Sequence, residues 1–253
     1  MAASGPEDVI VTLPAYNEEE ALPALLRRIA AAPGGPYRTF VVDDGSQDAT
    51  AARAEALREL LPELRVLRHE RNRGLGAALV TGWTAALEAL GDDGTVVTMD
   101  ADNTHDPALI ADLVRALREG ADVAIASRFA PGGGEVGLSP LRRLLSRGAC
   151  RFLAAARPAP GVRDYTCGYR AYRAGVLRRA FATYGPTGLV TAPGFACSAE
   201  VLVKLAELGA RFREVPLVLR YDLRAGKSKM RILRTISGYL YILRVTHRAA
   251  PHP

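Results

Sequence analysis

The chain is poor in cysteine, poor in lysine and without a long apolar run, and each shortage narrows what it can be. Cys150, Cys167 and Cys197 are an odd, widely spaced set. Such a set forms neither a disulfide framework nor a CxxC metal site, so the three are read as reduced and structural. No apolar stretch reaches the roughly 20 residues needed to cross a bilayer. The polar first residues lead straight into an apolar strand without a secretory leader pattern, which predicts a cytoplasmic protein touching membrane only at its surface. There is no Walker loop, and Gly74-Leu-Gly76 lacks the third glycine and the acid of a dinucleotide fingerprint. If this chain handles phosphates, a glycine loop does not do it.

What remains is an ordinary folded composition. The 253 residues are 49% hydrophobic and 24% charged, enough to bury one sizeable core as one domain or one domain with an appendage. The net charge of +6 is carried almost wholly by arginine, and two of the three lysines sit together in Gly226-Lys-Ser-Lys229. Up to residue 126, short β-branched runs alternate with amphipathic stretches. Strands are predicted over 9–13, 40–42, 64–67, 95–99 and 123–126, and helices near 18–32, 48–61, 75–90 and 106–119. That βαβα order predicts an α/β fold, a mainly parallel sheet with helices on both faces and ligands at the carboxyl ends of the strands.

The informative residues fall at those ends. The first strand runs into Pro14-Ala-Tyr-Asn-Glu18, the second into Asp43-Asp-Gly-Ser-Gln-Asp48, the third toward Asn72-Arg-Gly-Leu-Gly76 and the fifth into Ser127-Arg128. The fourth runs into Asp100-Ala-Asp102. In an extended chain, residues two apart share a face, so these two acids converge on one spot as a cation site. Mg2+ or Mn2+ takes about six oxygens and keeps waters unless substrate phosphates replace them, which points to a bound diphosphate. Asp106 and Pro107 have a simpler explanation, as N-cap and first residue of the next helix.

Taken together, Val11-Thr-Leu-Pro-Ala-Tyr-Asn-Glu18, Val41-Val-Asp-Asp-Gly-Ser-Gln-Asp48, Asn72-Arg-Gly-Leu-Gly-Ala77 and Asp100-Ala-Asp102 resemble the family 2 glycosyltransferases of the GT-A fold. In the second half, Ala126-Ser-Arg-Phe129, Asp164-Tyr-Thr-Cys-Gly-Tyr-Arg170, Phe195 followed by Glu200, Glu214-Val-Pro216 and Gly226-Lys-Ser-Lys229 resemble the dolichyl- or polyprenyl-phosphate mannosyltransferase group. The resemblance implies a nucleotide-sugar donor, GDP-mannose by preference, a polyprenyl-phosphate acceptor and inverting displacement. It also implies that Pro14, Tyr16, Asn17, Glu18, Asp43, Asp44, Asn72, Gly74 and Ala101 line the donor site, with Asp100 and Asp102 holding the metal on its diphosphate.

A phosphate acceptor is already largely ionised near neutral pH, so it needs positioning more than deprotonation, and arginine suits that task. The acceptor-phosphate candidates are Arg128, Arg143, Arg147, Arg224 and Lys229, with Arg142 and Lys227 also considered and Arg142 ranked below Arg143. Asp102 and Arg128 are the catalytic candidates. His69 and His105 are read as structural, and Glu200 as either a helix-face acid or a sugar contact.

From Lys229 to Val245, apolar residues recur at helical spacing beside Arg231, Arg234 and Arg244, and a similar mixture runs from Leu138 through Phe152. These two segments form the expected mouth for a lipid acceptor, with the C-terminal helix lying either on a membrane interface or on the enzyme's own core. Gly132-Gly-Gly134 just before is read as a hinge. The expected organisation is a catalytic domain over 1–223, a basic amphipathic helix over 224–248 and a disordered tail over 249–253. A family 2 enzyme with a hydroxyl acceptor is the nearest rival. Nucleic acid is not an expected partner, because paired acids at a strand end would repel its backbone.

Overall fold

The computed structural model describes residues 8–61, 63–223 and 232–245, and of the last segment the side chains from 237 to 244. Arg224, Lys227, Lys229 and the tail at 249–253 lie outside the described residues. Strands β1 (Val9–Ala15), β2 (Arg38–Asp43), β3 (Leu64–Arg68), β4 (Thr95–Thr98) and β5 (Val123–Ser127) occupy the five predicted positions. Their near-continuous apolar runs reflect burial on both faces, as expected of a parallel sheet covered by helices. Helix α1 (Leu22–Ala30) buries Leu22, Leu25, Leu26 and Ile29, and a short α2 (Thr50–Glu55) follows β2. Helix α3 spans Leu75–Ala89, and α4 (Ile110–Arg118) buries Ile110, Leu113, Val114 and Leu117, a stripe of helical period.

The predicted helix over 48–61 is cut short. After Glu55 the backbone bonds tighten to the i−3 pattern, Leu57 N to Ala54 O at 3.0 Å and Arg58 N to Glu55 O at 3.2 Å. A helix on the approach to Pro62 would meet the residue-before-proline restriction. The five strands of the first half are joined by segments that alternate too weakly to read from sequence. These are β6 (Gly134–Val136), β7 (Arg170–Arg173), β8 (Phe212–Pro216) and β9 (Val218–Arg220). The main sheet has the order β3-β2-β1-β4-β7-β5-β8, and β6 and β9 pair apart as a parallel ribbon. All strands of the main sheet are parallel except β7, which runs against β4 and β5. The carboxyl ends of the parallel strands therefore share one edge, and the segment entering β7 arrives at that same edge.

The second half adds α5 (Pro140–Ala156), α6 (Ala174–Tyr184), α7 (Pro186–Leu189), α8 (Ala196–Glu207) and α9 (Ile232–Val245). Helix α5 starts from Ser139, whose hydroxyl accepts from Arg142 N at 3.5 Å, with Pro140 in the first turn. Helix α9 packs on α8 through a close approach at Gly238, where an added Cβ would lie 2.5 Å from the Ala196 Cβ. Ile242 is fully buried there, and Arg157 Nη2 donates to Leu243 O at 2.9 Å. The helix thus lies on the enzyme's own core along one face, while Leu240 and Tyr241 stay exposed on the other. Among the described residues no helix is long and apolar enough to cross a membrane.

Beneath the shared edge, Trp83 of α3 is 1% exposed and donates its indole N–H to Thr98 Oγ of β4 at 2.9 Å. Thr98 in turn shares a hydroxyl contact of 3.0 Å with Thr12 of β1. Replacing Thr98 by valine keeps the shape and strands the buried indole donor, which costs about 1–3 kcal/mol. Urea unfolding of Thr98→Val is expected to show that loss, and a cost below about 0.5 kcal/mol would mean that the Trp83 bond carries none of the stability.

Candidate active site

The edge loops are tied to one another before any ligand is considered. After β1 the chain turns at Asn17, in the left-handed region at φ 51°, where its N–H donates to Ser46 Oγ at 2.9 Å and its Oδ1 accepts from Gln47 N at 2.9 Å. Glu18 N donates to Thr50 Oγ at 2.8 Å. After β2, Asp43 Oδ1 accepts from Ser46 N at 3.0 Å and Oδ2 faces Arg68 Nε at 3.5 Å. Asp44 accepts from Arg73 N at 2.9 Å and Gly74 N at 2.8 Å, and its Oδ1 lies 2.6 Å from His69 Nδ1. His69 also meets Thr81 Oγ at 2.9 Å, so this histidine is structural, as expected. Gly45, at φ +69°, lies so close to the Arg71–Asn72 backbone that any side chain would collide with it. Asp43 and Asp44 are both buried; Asp43 closes its own loop through Ser46, and Asp44 holds the backbone at 73–74 in place.

The pair Asp100 and Asp102 meets in a different way from the one expected. Strand β4 ends at Thr98, so the pleat does not reach the acids; they line one cleft from the turn that follows, which continues through Asn103 at φ 61°. That turn is held from several sides. Arg28 Nη1 donates to Asn103 Oδ1 at 2.7 Å, Tyr169 OH to Asp106 O at 3.0 Å, and Arg220 N to Thr104 O at 3.2 Å. Within it, Thr104 Oγ donates to Asp102 Oδ1 at 2.7 Å. His105 Nδ1 accepts from Asp100 N at 3.2 Å and its ring stacks on Tyr169 at 5.0 Å. With Nδ1 accepting, a neutral His105 carries its proton on Nε2. Asp106 caps the following turn through Ala108 N at 3.1 Å, with Pro107 behind it, as read from the sequence.

Asp100, Asp102 and Arg128 line one cleft of about 630 Å³. Its outer end is formed by Leu144, Leu145 and Phe152 of α5 and Leu240 of α9, side chains that are largely exposed. Pro14 meets Asp100 in a narrow crevice that opens beside it. Among the described residues no group of three or more His, Cys, Asp or Glu side chains could hold a metal by itself. Two carboxylates on one cleft fit a divalent cation that completes its shell with phosphate oxygens and water.

Arg128 is buried and strongly committed. Its Nε and Nη2 grip Asp164 Oδ2 and Oδ1, each at 2.7 Å, Nη2 also reaches Thr166 Oγ at 2.6 Å, and Nη1 donates to Glu135 Oε1 at 3.1 Å. Burial alone would raise the Asp164 pKa, but the Arg128 guanidinium outweighs it and holds the carboxyl below its ordinary range. The α5 arginines part company: Arg142 lines the cleft, Arg143 faces Glu135 beside Arg128, and Arg147 lies over the Phe129 ring at 5.9 Å. Helical phase decides this, since neighbouring residues on a helix point about 100° apart. Asp164, Thr166, Glu135 and Arg28 were not singled out from sequence, and only Asp164 and Thr166 stood in a quoted motif.

Glu200 is neither exposed nor in the cleft. It accepts from Thr191 N and Ala192 N, each at 2.7 Å, and pairs with Lys204 Nζ at 2.6 Å, which fixes the segment leading to cleft residue Phe195. The three thiols are free and buried; burial pushes Cys150 up to about 11 and Cys167 and Cys197 up to about 12, which keeps them protonated. Gly133 has a packing role of its own, because an added Cβ would lie 2.5 Å from Ser127 O and 2.9 Å from the Arg128 carbonyl.

A carboxyl whose pKa is lowered on folding stabilises fully above its unfolded value, about 3.9, and loses that contribution as pH falls through the folded value. The melting difference between the protein and Asp164→Asn is therefore expected to be large and flat from about pH 5 to 8 and to shrink below about pH 4. A difference that stays constant into strong acid would show that Asp164 ionisation contributes nothing.

The glycosyl transferase family 2 model matches residues 10–181. Polyprenol monophosphomannose synthase of Mycolicibacterium smegmatis is 36% identical over 227 residues, covering 87% of this chain and 80% of that protein. Undecaprenyl-phosphate mannosyltransferase of Micrococcus luteus is 34% identical, over 88% of this chain and 87% of that one. Dolichol-phosphate mannosyltransferase of Pyrococcus furiosus is 35% identical over 92% of this chain, which spans 61% of its length. Among solved structures, glucosyl-3-phosphoglycerate synthase from Mycobacterium tuberculosis with Mn2+, UDP and glucosyl-3-phosphoglycerate aligns at TM-score 0.65 and 26% identity, over 93% of this chain and 80% of that one. The acid-lined edge of a mainly parallel sheet and these likenesses agree: the chain belongs to glycosyl transferase family 2 and is a glycosyltransferase of the GT-A fold.

Proposed function

We propose that this enzyme moves mannose from GDP-mannose onto a polyprenyl phosphate, inverting the anomeric carbon, with Mg2+ or Mn2+ held by Asp100 and Asp102. The observation that carries the reading is a cleft with two unlike ends, carboxylates at the strand edge and exposed leucines on α5 and α9, with Arg128 between them. The names of the mannosyltransferase relatives support the acceptor, and the solved neighbours bound to Mn2+ and UDP support a divalent ion.

In this reading the donor nucleotide lies along Pro14, Tyr16, Asn17, Glu18, Asp43, Asn72, Gly74 and Ala101, and Asp44 acts by holding the 73–74 turn. The ion, when bound, offsets negative charge building on the departing diphosphate. Thr104 keeps Asp102 in one orientation, and the stacked His105 fixes the backbone at Asp100. The acceptor phosphate arrives ionised and attacks without a general base. Arg128 and Arg142 reach it in the cleft, Arg143 and Arg147 lie on the same stretch of chain as Arg142, and Arg224 and Lys229, outside the described residues, stay acceptor candidates on their sequence motif alone. Exposed Leu141, Leu144 and Phe152 beside exposed Arg147 fit a peripheral contact with the cytoplasmic face of a membrane. Residues 1–223 are taken as the catalytic domain and 224–248 as an appended basic segment, of which helix α9 over Ile232–Val245 is the described part.

A second reading is favoured by the solved neighbours with phosphoglyceric acid, a small phosphorylated acceptor. It uses the same arginines but has no need of the exposed leucines. Turnover of GDP-mannose with a short-chain prenyl phosphate, and none with phosphoglycerate or sugar hydroxyls, is the expected result; the reverse pattern would overturn the lipid acceptor. GDP-mannose with Mn2+ or Mg2+ is expected to raise the melting temperature, by the free energy of ligand binding, and Asp100→Asn to abolish the metal-dependent part. Equal stabilisation in EDTA would remove the metal role from both acids.

A further inference from the structure

Two carboxylates face Arg128, and they are held very differently. Asp164 is locked: besides the bidentate grip on the guanidinium it accepts from the backbone N–H of Arg128 at 3.1 Å, of Thr166 at 3.2 Å and of Cys167 at 3.0 Å. Glu135 is buried almost as fully, its side chain 2% exposed, but its partnership is poor. Oε1 takes one hydrogen bond, from Arg128 Nη1 at 3.1 Å. Among the described residues the buried Oε2 has no hydrogen-bond partner, and neither has the buried Nε of Arg143, which stands 3.7 Å away, beyond hydrogen-bond distance. A buried carboxylate oxygen facing a buried guanidinium N–H, both unsatisfied, is an arrangement that costs free energy as it stands.

The charges sharpen the point. Arg128 and Arg143 supply two positive charges, and Asp164 and Glu135 cancel both. A phosphate entering the cleft at Arg128 meets a neutral cluster while Glu135 is in place and a cationic one once it has turned away. Glu135 can turn away by side-chain rotation, because its backbone stays paired in β6, where it registers with Leu219 of β9. Asp164 cannot, since its release would unpair three backbone donors.

We propose that Glu135 is an internal counter-anion that the phosphate of the acceptor replaces between Arg128 and Arg143. The proposal rests on the reading of these arginines as acceptor ligands. It makes Glu135 a positioning residue that sets acceptor affinity: the carboxylate lies between the two guanidinium groups and offsets their charge when the cleft is empty, and it competes with phosphate for them. Binding then carries the cost of displacing it, as for any ligand that requires a minor conformation.

The test is kinetic and binding analysis of the full chain with a short-chain prenyl phosphate. Glu135→Gln removes the competing charge at constant shape and is expected to lower the acceptor KM about tenfold, with the GDP-mannose KM unchanged. Glu135→Asp, which keeps the charge on a shorter stem, is expected to retain a KM near that of the parent. Urea midpoints of both variants report whether the fold is intact, and calorimetry with the prenyl phosphate alone repeats the comparison without turnover. If Arg143→Gln weakens acceptor binding while Glu135→Gln leaves it unchanged or weaker, the counter-anion role is overturned and the acceptor reading stands. If neither substitution alters acceptor binding, the assignment of these arginines to the acceptor fails, and the proposal with it.

Discussion

A carboxylate taken out of water has to be met by donors, and the working edge of this enzyme is organised by that requirement. Asp44, Asp164 and Glu200 are buried acids whose oxygens accept backbone N–H groups from another segment of the chain, at 73–74, at 128 and at 191–192 respectively. Each also faces a basic or potentially basic side chain, His69, Arg128 or Lys204. The parallel sheet delivers loops to one edge but does not shape them, and an untethered loop end would place its functional groups poorly. Removing any one of these acids would release a loop rather than an isolated contact.

The same economy of parts explains how one cleft is lined by two unlike sets of side chains. Its inner end comes from strand ends, where polar backbone and carboxylates collect because the sheet is parallel. Its outer end comes from α5 and α9, helices added after the sheet, whose apolar residues are not needed by the core and remain exposed. Helix α9 is anchored through Gly238 and Ile242 to α8, so its other face is free to line the mouth. Arg128 stands at the junction because β5 ends there, and Asp164 meets it because β7 runs antiparallel and brings its leading segment to the same edge.

Some of this was legible without coordinates. The β1 to β5 order follows from apolar runs separated by amphipathic stretches, and the Asp106-Pro107 start of a helix follows from capping chemistry. The grouping of acids at strand ends needs only the directionality of a parallel sheet. Other expectations ran into contacts that no local pattern reports. Asp44 reads as a substrate ligand until His69 and the 73–74 amides are found on it. Arg143 outranks Arg142 in a motif, but the phase of α5 points Arg142 into the cleft. Gly132-Gly-Gly134 reads as flexible, yet Gly133 is pressed against the Ser127 and Arg128 carbonyls.

The amino-acid order alone determined the α/β class, the family and the set of acids and arginines available for chemistry, because periodicity and motif spacing are properties of short stretches. Tertiary structure decided which of those side chains meet solvent and which are consumed in holding loops. That choice depends on pairings such as Arg128 with Asp164 and Glu200 with Lys204, in which a buried charge is stabilised only by the partner that the fold brings to it.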